Sequence, residues 1–171
     1  YCAHFWFDPD AKVYNGAFEN VQGKICMELV DGNNVYFGNA NNPIVSKQPY
    51  IIIAGRDTVD NLKKEAEQYR NNDATVTEDQ DYQEQVGQGG QIEIEGENGT
   101  NKATYIIVYK MTEKGTVSVS KSVQTDYIYK DIDTGLTRYP VAWANWEKQK
   151  NQYHGKAFVT GLIPNQIYIN K

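Results

Sequence analysis

The stretch "TYIIVYKMTEKGTVSVSKSVQTDYIYKDI", residues 104 to 132, decides the fold class of this chain. It holds three runs of strand-forming residues, Thr104–Thr112, Thr116–Val123 and Thr125–Ile132, joined by short turns. Valine and serine alternate strictly in the middle run, which is the period of a half-buried strand. Because short turns join consecutive strands only in antiparallel fashion, the stretch predicts a meander. We expect Val117 and Val119 to share a buried face with the alternating residues of Tyr105–Tyr109.

The sequence before the meander adds more strands and one clear helix. The strand candidates are Tyr1–Phe7, Lys24–Val30, Asn34–Phe37 and Tyr50–Ala54. The second of them ends at Asp31-Gly32, a pair of residues that favours a hairpin turn. The helix is predicted over about residues 57–70, with Asp57 as its cap. The fold class predicted is therefore α+β, with antiparallel strands predominating.

The predicted helix has one apolar side. Val59, Leu62, Ala66 and Tyr69 recur at helical spacing and are expected to face the core.

A segment of different composition follows the helix. Residues 73–102 are acidic, rich in Gln and Gly and poor in apolar side chains. Such a segment buries too little surface to repay the entropy of ordering. We therefore expect a mobile acidic insertion within a single domain of residues 1–171, with "QIEIE", residues 91–95, as an edge strand.

The end of the sequence, "GLIPNQIYINK", reads as the beginning of a helix over residues 164–171. Pro164 suits the first helical position, where its missing N–H costs nothing. Ile163 and Ile167 follow at helical spacing, and these apolar residues need a partner surface. Since Tyr1 already opens a strand, both ends look cut, and we expect the chain to be a piece of a longer one.

The composition limits the classes of function. The formal net charge of -5 argues against a dedicated nucleic-acid-binding surface. No run of residues approaches the roughly 18 apolar residues of a membrane span, so no membrane partner is predicted. Cys2 and Cys26 are too few for a disulfide framework.

The sequence contains possible metal ligands and a possible catalytic histidine, but they do not form a complete metal-binding or catalytic motif. Cys2, His4 and Cys26 have no fourth ligand at a spacing typical of zinc sites. His154 has no accompanying nucleophile motif. The sequence therefore predicts no enzyme activity, no catalytic or metal site and no cofactor.

The most distinctive side chains lie in the last third of the chain. Trp and Tyr anchor cores and subunit contacts, and they also stack on sugars or bases. The candidate interface residues are Trp143, Trp146, Tyr153, His154, Ile163 and Ile167.

Three stretches resemble one protein family. "HFWFDPDAK" (residues 4–12), the run from Val30 to Ala66 and the run from Asp133 to Lys171 look like the wing region of tailed-bacteriophage portal proteins. The second run has the order strand, "FGN" turn, "QPYIII" and a helix beginning with Arg-Asp. The third is similar to the passage from the wing into the first long stem helix. Together they cover about half of the chain.

The resemblance implies a structural subunit of the virion that is assembled in the bacterial host cytoplasm. Portal subunits form a homo-oligomeric ring, typically of about twelve copies, at one capsid vertex. DNA passes through the ring without sequence specificity during genome packaging and ejection. Capsid or scaffold protein would contact the wing, while the packaging motor and the tail connector would contact regions outside this chain.

The alternative is a β-rich binding module of a bacterial surface or secreted protein. The Trp- and Tyr-rich C-terminal stretch and the glycosylation pattern Asn98-Gly99-Thr100 favour it.

Overall fold

The computed structural model describes residues 1–12, 22–79, 84–86, 90–92 and 101–170, and it has the predicted α+β fold with mainly antiparallel strands. In chain order the elements are β1 (Cys2–Lys12), β2 (Gln22–Val30), β3 (Val35–Phe37), β4 (Tyr50–Thr58), α1 (Val59–Gln68), β5 (Glu84–Val86), β6 (Gly90–Ile92), β7 (Lys102–Met111), β8 (Val117–Val123), β9 (Tyr127–Asp133), β10 (Val141–Trp143) and α2 (Ile163–Ile169). Neither helix of this described part is long and apolar enough to cross a membrane.

The predicted meander forms three strands, β7, β8 and β9, of a five-stranded sheet with the order β3-β4-β7-β8-β9. Tyr109 of β7 lies opposite Val119 of β8 and Ile51 of β4, so these side chains share one face. Val117 and Tyr109 are buried on that face, and Val119 is partly buried against the same core. The predicted common face is confirmed, and we call it the inner face.

A second sheet has the order β10-β1-β2. The hairpin predicted at Asp31-Gly32 is wrong, because β2 pairs with β1 and the chain then crosses to the other sheet. A two-residue hairpin turn needs positive φ at its centre, and Gly32 does not adopt it. Instead, the Asp31 side chain accepts a hydrogen bond from the Asn33 N–H and caps a 3-10 turn over Gly32–Asn34.

Helix α1 is shorter than predicted at both ends. Thr58 caps it rather than Asp57, whose carboxylate accepts from the Asn61 side chain. Arg70 adopts the left-handed φ of 61°, which ends the helix soon after Gln68. The predicted burial of Tyr69 is wrong, because its side chain is 49% exposed and packs on the Tyr129 ring.

The inner face of the five-stranded sheet has two covers. The three-stranded sheet covers one part, and α1 covers another. The core between the sheets consists of Cys2, Val35, Phe37, Ile51, Ile53, Ile107, Tyr109, Val117, Tyr139, Val141 and Tyr153. The core beneath α1 consists of Val59, Leu62, Ala66, Val76, Ala103, Val123 and Ile128.

The acidic tract joins the fold at its first residues. Val76 is buried beneath α1, and the Thr125 hydroxyl donates a hydrogen bond to the Thr75 carbonyl at 2.5 Å. Strands β5 and β6 pair with each other, and β6 covers the start of the predicted 91–95 strand. The rest of the predicted mobile insertion between residues 80 and 100, together with the glycosylation pattern, lies outside the described residues.

The outermost strands of the five-stranded sheet carry irregular contacts. At β3, the Tyr153 hydroxyl donates to the Val35 carbonyl at 3.1 Å, and the Tyr153 N–H donates to the Ala40 carbonyl at 3.0 Å. At β9, the pairing register shifts, and Asp131 adopts a φ of 51°. The Asp131 N–H then donates to the Ser120 hydroxyl at 2.9 Å instead of to a strand carbonyl.

Candidate functional site

The three-stranded sheet turns an apolar face to solvent. Cross-strand partners share a face, so the register of β1, β2 and β10 fixes its members. They are Ala3, Phe5, Phe7, Ile25, Met27, Leu29 and Ala142, and none of them is charged. We call this surface the outer face. Phe7, Ile25, Met27 and Leu29 are 60–77% exposed.

The opposite face of the same sheet carries the polar side chains. His4 and Glu28 are cross-strand partners that point toward the core, and their side chains meet at 2.9 Å. The other ring nitrogen of His4 hydrogen-bonds the Tyr109 hydroxyl at 2.7 Å. An antiparallel sheet with one solvated face normally places its polar residues outside, whereas here the outer face is apolar and the His4–Glu28 pair lies on the inward face beside the core residues Cys2 and Val141. The alternation "ICMEL" in β2 was the signal, but alternation alone does not say which side faces inward.

The C-terminal segment, residues 157–170, is a second exposed apolar surface. It contains no charged residue. Helix α2 begins at Ile163, one residue before the predicted start, with Pro164 in its first turn, and none of its residues is buried. Its neighbours Phe158 and Val159 are 68% and 59% exposed, and Ile167 and Ile169 are 56% and 75% exposed.

The structure divides the six candidate interface residues into two groups. Tyr153 is buried and stacks on Phe37 at 4.8 Å between ring centroids. The Trp143 indole N–H donates to the Tyr153 carbonyl at 2.9 Å, and the His154 ring lies 4.0 Å from that of Tyr153. These three side chains hold the loop after β10 against β3.

The remaining three side chains of that set, Trp146, Ile163 and Ile167, are exposed by 48–73% and are available for contact.

A cleft of about 580 Å³ opens between the two covers of the inner face. The three-stranded sheet contributes His4, Trp6 and Glu28. Helix α1 contributes Glu65, and Tyr69 follows directly after its end. The five-stranded sheet contributes Asp57, Tyr105, Tyr109, Lys121 and Tyr129. We call it the tyrosine cleft. Its acidic side chains outnumber its lysine, which favours neutral or cationic ligands.

None of the six candidate interface residues lines the cleft, and Lys121 is a cleft residue whose position the sequence pattern could have indicated. It follows Val119 by two positions and therefore points to the inner face, where it is only 7% exposed. Its ammonium lies 2.6 Å from a Glu65 oxygen and 4.2 Å from the centre of the Tyr105 ring. The strict alternation of "TVSVSKSV" contained this information, because Lys121 occupies a valine position in the pattern.

The tyrosines of the cleft are held in the neutral form. Burial, followed by the negative charges of Glu28, Asp57 and Glu65, raises the pKa of Tyr105 to about 12. Burial likewise raises the pKa of Tyr109 and Tyr129 well above the usual range. Neutral phenols act as hydrogen-bond donors and stacking surfaces. The cleft is thus suited to binding a polar ligand.

The residues considered for zinc do not converge. Both ring nitrogens of His4 are engaged by Glu28 and Tyr109, and Cys2 is buried in the core between the sheets. Within the ranges that the structure describes, no group of three His, Cys, Asp or Glu side chains is placed to hold a metal ion.

Comparison of the chain with models of known protein families found no match, and comparison with curated proteins found no significant similarity.

Proposed function

We propose that this chain is a structural subunit of a tailed-phage portal ring, the DNA conduit at one capsid vertex, and that it is not an enzyme. The observation that carries the proposal is the exposed outer face, where four large apolar side chains are 60–77% exposed side by side, because contiguous apolar patches on a protein surface often mark interaction sites. The resemblance of three stretches to the portal wing suggests that the assembly is a portal ring. These stretches are residues 4–12, 30–66 and 133–171. The net charge of -5 is compatible with a conduit from which DNA must not be retained.

The proposal is tested on virus particles. Antibodies raised against the purified chain should label one vertex of tailed phage particles that carry this protein in immunogold electron microscopy. Antibodies against an unrelated protein provide the background level. Label distributed over the whole capsid, or found only in the particle-free fraction, would contradict the proposal.

A second candidate function, a ligand-binding module of a surface or secreted protein, is favoured by the tyrosine cleft. Trp6 lies at the rim, 41% exposed and stacked on His4, so a bound sugar would alter its fluorescence. Titration with neutral and amino-sugar oligosaccharides tests this function. A saturable change that is lost in Trp6→Leu and kept in Trp146→Leu would support it, and unchanged emission with every ligand would refute it.

A further inference from the structure

We propose that the tyrosine cleft binds an organic ammonium cation between its aromatic rings and its carboxylates. The inference goes beyond the proposed portal function and does not depend on it. The second candidate function assigns sugars to the same cleft, whereas here the group that the cleft recognises is a positive charge.

The cleft already holds one ammonium group, which belongs to the chain itself. The Lys121 Nζ lies 4.2 Å from the centre of the Tyr105 ring and 2.6 Å from a Glu65 oxygen. A cation over an aromatic face is attracted by the negative potential of the ring, and the attraction is stronger when the cation is desolvated. The ring and the carboxylate together compensate Lys121 for the water that it loses. The same surroundings therefore suit the ammonium group of a ligand.

The cleft contains more negative charge than Lys121 neutralises. Among the described residues that line it, the carboxylates are Glu28, Asp57 and Glu65, and Lys121 is the one lysine. Burial, followed by the charges of all three carboxylates, raises the pKa of Tyr105 to about 12, so their fields converge on this ring. A second cation that enters the cleft would therefore meet a negative potential.

A second pair of aromatic ring and carboxylate lies at the rim of the cleft. His4 lies opposite Glu28 and Trp6 lies opposite Cys26, so Trp6 and Glu28 are diagonal neighbours on one face of the sheet. Diagonal neighbours are within reach of an aromatic side chain. The Glu28 side chain is 42% exposed and Trp6 is 41% exposed, so both are accessible to a ligand. Tryptophan is the aromatic residue that attracts cations most strongly.

The cleft is large enough for a small molecule that carries such a group. Its volume of about 580 Å³ falls within the range of about 300–1,000 Å³ typical of small-molecule sites. Tyr69 and Tyr129 add aromatic surface, with their ring centroids 4.4 Å apart. Burial is the largest cause that raises the pKa of both phenols, so they stay neutral and act as stacking surfaces for the rest of the ligand.

NMR of choline in the presence of the purified chain tests the proposal. Choline carries a trimethylammonium group, and its neutral analogue with a tert-butyl group has the same shape without the charge. The expected result is saturable broadening of the trimethylammonium signal, with a dissociation constant at least about tenfold lower than that of the neutral analogue. Equal binding of the two compounds, or no binding of choline, would overturn the proposal.

Two variants with weakened binding locate the site. Glu28→Gln removes a charge at nearly constant shape, Trp6→Leu removes a ring, and each should raise the dissociation constant of choline at least about fivefold. The matched controls lie outside the cleft: Glu113→Gln in the exposed turn between β7 and β8, and Trp146→Leu, which is 73% exposed. Both controls should bind choline as the unchanged chain does. Equal weakening in the controls and in the cleft variants would place the binding elsewhere and overturn the proposal.

Lys121→Met is expected to have the opposite effect, which damage to the fold could not produce. The change removes the ammonium group that the cleft already holds and leaves the Tyr105 ring and the Glu65 carboxylate available to the ligand. The affinity for choline should therefore rise at least about threefold. A lower or unchanged affinity, in a variant with native circular dichroism, would contradict binding in this cleft.

These outcomes are distinguishable from the tests of the two proposed functions. Binding of neutral oligosaccharides without binding of choline would support the second candidate function and overturn this inference. Vertex labelling of particles does not involve the cleft, so the portal proposal stands or falls separately from the choline titration.

Discussion

The two sheets of this protein treat their apolar residues in opposite ways. The five-stranded sheet directs Ile51, Ile53 and Val117 to its inner face, where they are at most 2% exposed. The three-stranded sheet contributes Cys2 and Val141 to the core beside His4 and Glu28, and directs Ile25 and Leu29 to solvent. The same period of two thus buries the apolar face of one sheet and leaves an apolar face of the other open. Periodicity identifies a strand, while its surroundings decide which side is buried.

The largest expected contrast is between two truncations, one in each sheet. Ile53→Ala removes a buried side chain from the five-stranded sheet and should lower the free energy of unfolding by about 2–5 kcal/mol. Leu29→Ala on the outer face should change it by less than about 0.5 kcal/mol. Urea denaturation followed by circular dichroism measures both. Equal losses in the two variants would show that the outer face is covered within the monomer.

A smaller effect is expected in the tyrosine cleft. Lys121 lies there on the five-stranded sheet, and it is the one buried lysine among the described residues. Glu65→Gln should cost about 1–3 kcal/mol, because the Lys121 ammonium is left with a neutral partner. Lys121→Met fills a similar volume and leaves only the Glu65 carboxylate without its partner, and because that side chain is 27% exposed and can be solvated, the cost should be smaller than in Glu65→Gln.

The same denaturation experiment compares the two cleft variants. A greater loss in Lys121→Met than in Glu65→Gln would indicate that the ammonium is stabilising in its own right.

The buried tyrosines predict that the stability of the folded protein decreases at alkaline pH. An unfolded tyrosine loses its proton near pH 10, whereas native Tyr105 keeps it to about pH 12. Above pH 10 the native state therefore binds more protons, and stability is fully present below pH 10 and falls as the pH rises toward 12. Melting temperatures between pH 7 and 11 should show this decline. It should be less steep in Tyr129→Phe, and an equal slope in that variant would contradict the assignment.

The smallest effect is expected at Trp146, which is 73% exposed. Trp146→Ala should change the free energy of unfolding by less than about 0.5 kcal/mol. Trp143→Ala, which removes a partly buried ring packed on Phe37, should cost clearly more. Thermal denaturation of the two variants side by side checks the division of the aromatic residues into packed and exposed groups.

The fold class and the meander could be predicted from the sequence, because alternation and short turns are local signals. The hairpin at Asp31-Gly32 could not, since the side-chain cap of a 3-10 turn competes with it for the same residues. The pairing of β10 with β1 joins residues about 140 positions apart, and no local pattern encodes it.

The candidate site was predictable only in part. The exposed isoleucines of α2 were anticipated from their lack of partners. The outer face and Lys121 were not, because both depend on which side of a strand meets the rest of the protein.

The irregular contacts at the margins of the five-stranded sheet affect how the protein resists aggregation. A strand at the end of a sheet presents free backbone groups that recruit strands from other molecules. At β3 the carbonyl of Val35 is occupied by Tyr153, and at β9 the bulge at Asp131 and its neighbouring charges disrupt a regular ladder. Neither margin is a flat template for amyloid-like growth. Partial detachment of the loop that carries Tyr153 would expose the edge of β3. This loop therefore protects the protein against aggregation, in addition to packing on its core.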